Sequence, residues 1–88
     1  MNIEKNIKEL FLEIFTENNP TLTPPTLTKD LTLLNSGLDS LALATLVIQL
    51  EDKLGYDPFI ISSEPFYPRT FGEFVDFYLM NKPDDFTL

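Results

Sequence analysis

The chain has 88 residues, 43% of them hydrophobic, and a formal net charge of −8 from 14 acidic and 6 basic side chains. That length suits one domain, 1–88, with a modest core and little room for an enclosed active site. It contains no cysteine and no histidine, which excludes disulfides and thiolate metal sites and removes the commonest general base and metal ligand.

Acidity disfavours nucleic acid and anionic membrane surfaces as partners and favours proteins with basic patches. No basic-then-apolar leader opens the chain, and no apolar run is long enough to span a bilayer, so the cytoplasm is the expected compartment.

Asn2 can cap a first helix over about 2–17. Ile3, Ile7, Leu10, Phe11 and Ile14 fall at helical spacing, Leu12 and Phe15 widen the stripe, and the acidic and basic residues take mostly the other side. Asn18-Asn19-Pro20 ends the helix, because the residue before a proline is pushed out of helical geometry. Residues 19–38 form a long connection stiffened by Pro20, Pro24 and Pro25. A connection of this length in a compact domain needs a reason. Leu22, Leu27, Leu31, Leu33, Leu34 and Leu38 supply one: apolar anchors that let it pack across a helical bundle.

Gly37-Leu38-Asp39-Ser40-Leu41 then opens a second helix, about 39–54. Asp39 is a favoured N-cap and places Ser40 in the first turn, beside free backbone N–H groups and the positive end of the helix dipole. That is a good position to hold a phosphate ester. Gly37 allows a sharp turn and the close approach of a partner. Leu43, Leu46, Val47, Leu50 and Leu54 predict the core stripe. Leu41, Ala44 and Ile48 lie to one side of it, and no charge follows Asp39 for two and a half turns. A plain surface helix is less apolar than this: either the helix is buried on most sides, or part of its apolar surface meets another protein, with Leu41, Ala44 and Ile48 as the candidate docking residues.

The Gly37-Leu38-Asp39-Ser40-Leu41 stretch resembles the Gly-x-Asp-Ser-Leu signature of acyl and peptidyl carrier proteins. Chain length, the near-central serine, the preceding helix and long loop, and the Leu46/Val47/Leu50/Leu54 stripe agree with that family, so the resemblance covers nearly the whole chain. It implies an acyl carrier protein with 4′-phosphopantetheine on Ser40, flanked by Asp39 and Leu41, with Leu41 beside the arm at the docking surface. The implied partners are a phosphopantetheinyl transferase and acyl-loading and acyl-transfer enzymes, met by a monomer. Carriers of the fatty acid type usually place acidic residues early in this helix, where this chain has Ala42, Leu43 and Thr45. The departure leans toward a specialised pathway, of polyketide or nonribosomal peptide character, rather than housekeeping fatty acid biosynthesis. The alternatives are an aminoacyl or peptidyl carrier loaded by an adenylating enzyme, and a carrier-shaped interaction module that is never modified.

Gly55 is the expected C′ residue of the second helix. Residues 56–61 read as extended, with Phe59 and Ile61, or Ile60, entering the core. Ser62 or Ser63 is the candidate cap of a very short third helix over Glu64-Pro65-Phe66-Tyr67. Thr70 and Glu73 fit a capping box, and Phe71, Phe74, Val75, Tyr78 and Leu79 predict a last helix, about 71–81. Asp84 and Asp85 read as a solvated pair, and Phe86-Thr87-Leu88 either docks or frays.

The expected fold is therefore all-α: an acyl-carrier-like bundle of three main helices plus one short helix, with a long first loop. No catalytic residue is assigned. Ser40 lacks a histidine base, and Lys29 reaches it only if the loop folds back. Walker, dinucleotide and calcium-loop patterns are absent. The chain reads as a substrate of enzymes.

Overall fold

The computed structural model describes residues 2–84. Within them are four α-helices and no strand: α1 (Ile3–Asn18), α2 (Ser40–Leu54), α3 (Pro58–Ile61) and α4 (Phe71–Met80), with a 3₁₀ turn at Leu33–Asn35. The expectation for Phe86-Thr87-Leu88, and Asp85 of the acidic pair, lie outside the described residues.

α1 is the central element and packs on both α2 and α4. It starts where Asn2 Oδ1 accepts the Lys5 N–H at 3.1 Å. Ile7, Phe11, Ile14 and Phe15 are buried along its inner face, and Phe11 meets Phe71 of α4 edge-on, centroids 5.8 Å apart. The Glu9 carboxylate on its outer side pairs with Lys53 of α2 at 3.9 Å.

The long first connection does pack across the bundle, through backbone as well as side chains. The carbonyls of Lys29 and Leu31 accept the N–H groups of Gly72 and Phe71 at 3.0 and 2.8 Å, and the Leu33 N–H donates to the Arg69 carbonyl at 2.9 Å. Thr32 and Thr70 form an isolated antiparallel bridge. The connection thereby satisfies two of the free donors at the start of α4. Thr70 Oγ1 accepts the N–H of Glu73, and Glu73 Oε1 accepts from Arg69 rather than from Thr70, one residue outside a regular capping box. Leu33 and Leu38 are buried and Leu27 and Leu31 pack against the core. Leu22 and Leu34 do not anchor the loop: both are exposed, Leu34 almost completely at 96%. Leu34 sits in the 3₁₀ turn, whose inward position is taken by Leu33.

α3 corrects the sequence expectation. It spans Pro58–Ile61, and 64–67 is not helical. Asp57 Oδ1 accepts the Phe59 N–H at 2.8 Å and Pro58 stands in the first turn, where its missing N–H costs nothing. The proline that argued against a helix is its starting residue. Phe59 lies among Phe74, Phe77 and Tyr78, whereas Ile60 and Ile61 are exposed. Phe66 stacks on Phe77 at 4.5 Å and pins the connection that follows α3 onto α4. Within α4, Phe77 takes a buried place and Leu79 is exposed, contrary to the expected stripe.

Candidate functional site

Asp39 is the N-cap of α2, its Oδ1 accepting the Ala42 N–H at 2.8 Å. Ser40 is the first helical residue and is exposed, with its hydroxyl in water. Among the described residues the N–H groups of Ser40 and Leu41 have no acceptor, so two donors of the first turn stand free beside the hydroxyl. Gly55 closes the helix with φ +86°, as its C′ role requires.

The turn into α2 is set by Gly37, whose φ is +91°, and by the buried Ser36, whose Oγ donates to the Leu33 carbonyl at 2.7 Å. A Cβ at position 37 would collide with the Phe15 ring of α1. The Cβ side of Gly37 is thus filled from inside the molecule, by the end of α1, while the residue itself is exposed.

Along α2 the buried row is Ala42, Leu46, Leu50 and Leu54, an i, i+4 series facing α1. Leu43 and Val47 of the expected stripe are half-buried at its margin. Leu41 is 77% and Ile48 66% exposed, and Ala44 is exposed with them. The three candidate docking residues therefore share an open apolar face that begins next to Ser40.

Two clefts flank the serine. One, about 950 Å³, opens between the 3₁₀ turn, the start of α2 and residues 67–69. Its apolar walls are Leu33, Leu34, Leu38, Leu43, Tyr67 and Pro68, and its polar groups are Thr32, Asp39, Ser40 and Arg69. The other, about 420 Å³, lies between the end of α1 and the start of α2, over Ile14 and Ala42, with the carboxylates of Glu17 and Asp39 on its walls. Sequence reasoning found Ser40, Asp39 and Leu41 from the motif. It missed Thr32, Tyr67 and Arg69, which reach the same cleft from up to 29 positions away in the chain and carry no local signal.

Among the described residues no group of acidic side chains is placed to hold a metal ion, and no helix is long and apolar enough to cross a membrane. The strongly perturbed groups are elsewhere: burial raises the phenols of Tyr56 and Tyr78 above their ordinary 10.0, and the Asp57 carboxylate adds to the effect at Tyr78.

A family model described as "Phosphopantetheine attachment site" matches residues 7–59, from the second turn of α1 into α3, with Ser40 inside the match. No curated protein and no solved structure matches the chain.

Proposed function

Because the chain belongs to the phosphopantetheine attachment-site family, whose members bear 4′-phosphopantetheine covalently on a serine, we propose that Ser40 is that serine and that the protein carries acyl groups. One observation carries the assignment: Ser40 is an exposed first-turn serine, capped by Asp39, with two free N–H groups beside it and a cleft opening at its side. These residues fit the group. A phosphodiester on Ser40 Oγ would lie at the positive end of α2 within reach of donors that nothing else uses.

In loading, the Ser40 oxygen forms a new bond to the phosphorus of coenzyme A that carries pantetheine. The pyrophosphate bond breaks, adenosine 3′,5′-bisphosphate leaves, and the hydroxyl proton passes to a base of the transferase. The arm supplies a thiol that holds a carboxylic acid as a thioester. This chain presents the hydroxyl, orients it through the Asp39 cap and Gly37 turn, and offers the partner an address. Glu17 and Asp39 on one cleft suit a basic partner surface. Leu41, Ala44 and Ile48 suit an apolar one, and with no acidic residue in the first turn of α2 they support a specialised pathway over housekeeping fatty acid synthesis. The protein acts as a substrate and carrier in this reading, in the cytoplasm and without chemistry of its own.

The test is intact mass after incubation with coenzyme A and a broad-specificity transferase. Wild type should gain one phosphopantetheine and Ser40→Ala none. Wild type that never gains the mass would leave the unmodified interaction module standing. Loaded protein offered to adenylating enzymes, and to acyl-loading enzymes, separates aminoacyl from acyl cargo.

A further inference from the structure

We propose that the groove between α4 and the connection that follows α3 is a second docking site, and that it takes an apolar segment of a partner protein bearing an arginine. The groove, about 420 Å³, lies between residues 62–66 and the outward side of α4. All its lining residues follow the span 7–59 matched by the family model, and none of them lines either cleft beside Ser40. Attachment at Ser40 therefore does not account for it.

The floor of the groove is aromatic. Phe66 stacks on Phe77, centroids 4.5 Å and planes 26° apart, and remains 37% exposed. Pro65 and Met80 continue the apolar surface, with Met80 81% exposed. The walls carry charge of one sign. Glu64, Glu73 and Asp76 line the groove and no basic side chain does. Glu73 and Asp76 are three residues apart on one face of α4, where like charges repel, and α4 has no basic residue to relieve them. Among the described residues Glu64 and Asp76 have no cationic partner, and Glu73 uses one oxygen on the Arg69 N–H. These carboxylates are not gathered closely enough to hold a metal ion.

Carboxylates set around an exposed aromatic ring suit a guanidinium. Its plane stacks on the ring while its edge donates to the carboxylates, and the stem and flanking apolar residues cover Pro65 and Met80. An ammonium is a more strongly hydrated point charge and uses the ring less well. A volume at the low end of ligand-sized clefts takes one or two side chains rather than a whole helix. A second copy of this chain is the wrong occupant, because two molecules of net charge −8 repel and the groove adds acidity to the contact. A segment seated here touches none of the residues lining the clefts beside Ser40. One partner can therefore hold the protein by α4 while another works at Ser40.

The test follows backbone amide resonances of the full chain during titration with the acetylated, amidated tripeptide leucine–arginine–leucine. Saturable shifts should centre on residues 64–66 and 73–80 and spare Leu41 and Ile48. Peptides with lysine or the neutral isostere citrulline in place of arginine should bind several-fold more weakly. Asp76→Asn should weaken binding roughly two- to fivefold, the worth of an exposed ion pair. Met80→Ser, an exposed change at the end of α4, should also weaken it. Asp52→Asn makes the same charge change as Asp76→Asn at an exposed position outside the groove and should leave binding alone. Equal weakening by both asparagine variants, equal binding of the lysine peptide, or no saturable shift in the groove at millimolar peptide overturns the inference. So do groove resonances that move on dilution of the protein alone, which would make a second copy the occupant. Failure of Ser40 to accept the arm leaves every one of these outcomes unchanged, so the two readings fail separately.

Discussion

Gly37 meets two demands that no other residue meets together. Its φ of +91° is in the left-handed region, and the Phe15 ring occupies the space a Cβ would need. Gly37→Ala should therefore destabilise the fold by about 2–5 kcal/mol, the left-handed penalty plus overpacking. Adding Phe15→Leu should recover part of the overpacking and none of the backbone penalty, so urea midpoints of the single and double variants give a measurable coupling. Tyr56 and Tyr78 form a second informative pair. Tyr56 OH donates to the Tyr78 carbonyl at 2.6 Å, whereas Tyr78 OH is buried with no partner among the described residues. Tyr56→Phe should cost about 0.5–1.5 kcal/mol at neutral pH, and Tyr78→Phe should be neutral or stabilising. Both phenols titrate above 10.0 in the folded state. Their contribution is complete below that value and declines as pH rises past it, because the unfolded chain releases its phenolic protons first. At Tyr78, the more strongly shifted of the two, the loss approaches about 1.4 kcal/mol per pH unit. Urea denaturation at alkaline pH should show a shallower decline in Tyr78→Phe than in wild type.

At the scale of the element, α2 presents two different faces. The row Ala42, Leu46, Leu50 and Leu54 is buried against α1, and Leu41 and Ile48 stand in water. Leu46→Ala and Leu50→Ala should each cost about 2–5 kcal/mol. Leu41→Ser and Ile48→Ser should stay within about 0.5 kcal/mol of wild type and should slow transferase turnover. Equal destabilisation in the two sets would place Leu41 and Ile48 in the core and remove the apolar docking face. The same helix shows what periodicity resolves and what it leaves open. An apolar stripe over Leu43, Leu46, Val47, Leu50 and Leu54 was legible, but its centre was displaced by one position. Ala42 is small enough to sit inside at the contact with α1, and Leu43 and Val47 moved to the margin. For α3, Pro58 and two isoleucines read as extended backbone. The Asp57 cap and a proline in the first turn made one turn of helix instead.

At the scale of the whole molecule, the acidic surface bears on encounter with partners. Glu17 and Asp39 line one cleft next to Ser40, in a chain of net charge −8. Docking of a basic partner enzyme should then weaken with salt. Raising ionic strength from about 0.01 to 0.15 M shortens the screening length from roughly 30 to 8 Å. The KM for this protein in transferase assays should rise several-fold over that range with kcat little changed. A flat KM would assign docking to the apolar face alone. The first loop is the other feature of the whole. It carries the chain from α1 to Ser40 and, on the way, its carbonyls accept from the first N–H groups of α4. The start of the last helix is therefore tied by hydrogen bonds to the connection that leads into Ser40.

By itself the sequence determined what is decided within a few residues. Asn2, Asp39 and Thr70 cap their helices, Gly55 ends α2, and Ser40 falls at the first turn, because each of these depends on a side chain and a backbone group at most four positions apart. The tertiary structure decided what depends on how the helices meet. The packing of α2 on α1 placed Ala42 in the interior and Leu43 at its margin. Phe15 filled the space in front of Gly37, and the 3₁₀ turn buried Leu33 and left Leu34 in water. The cleft beside Ser40 required residues 32–43 and 67–69 to be brought together by the Thr32–Thr70 bridge. No local pattern encodes that meeting, because the free energy that makes it comes from a core shared by all the helices.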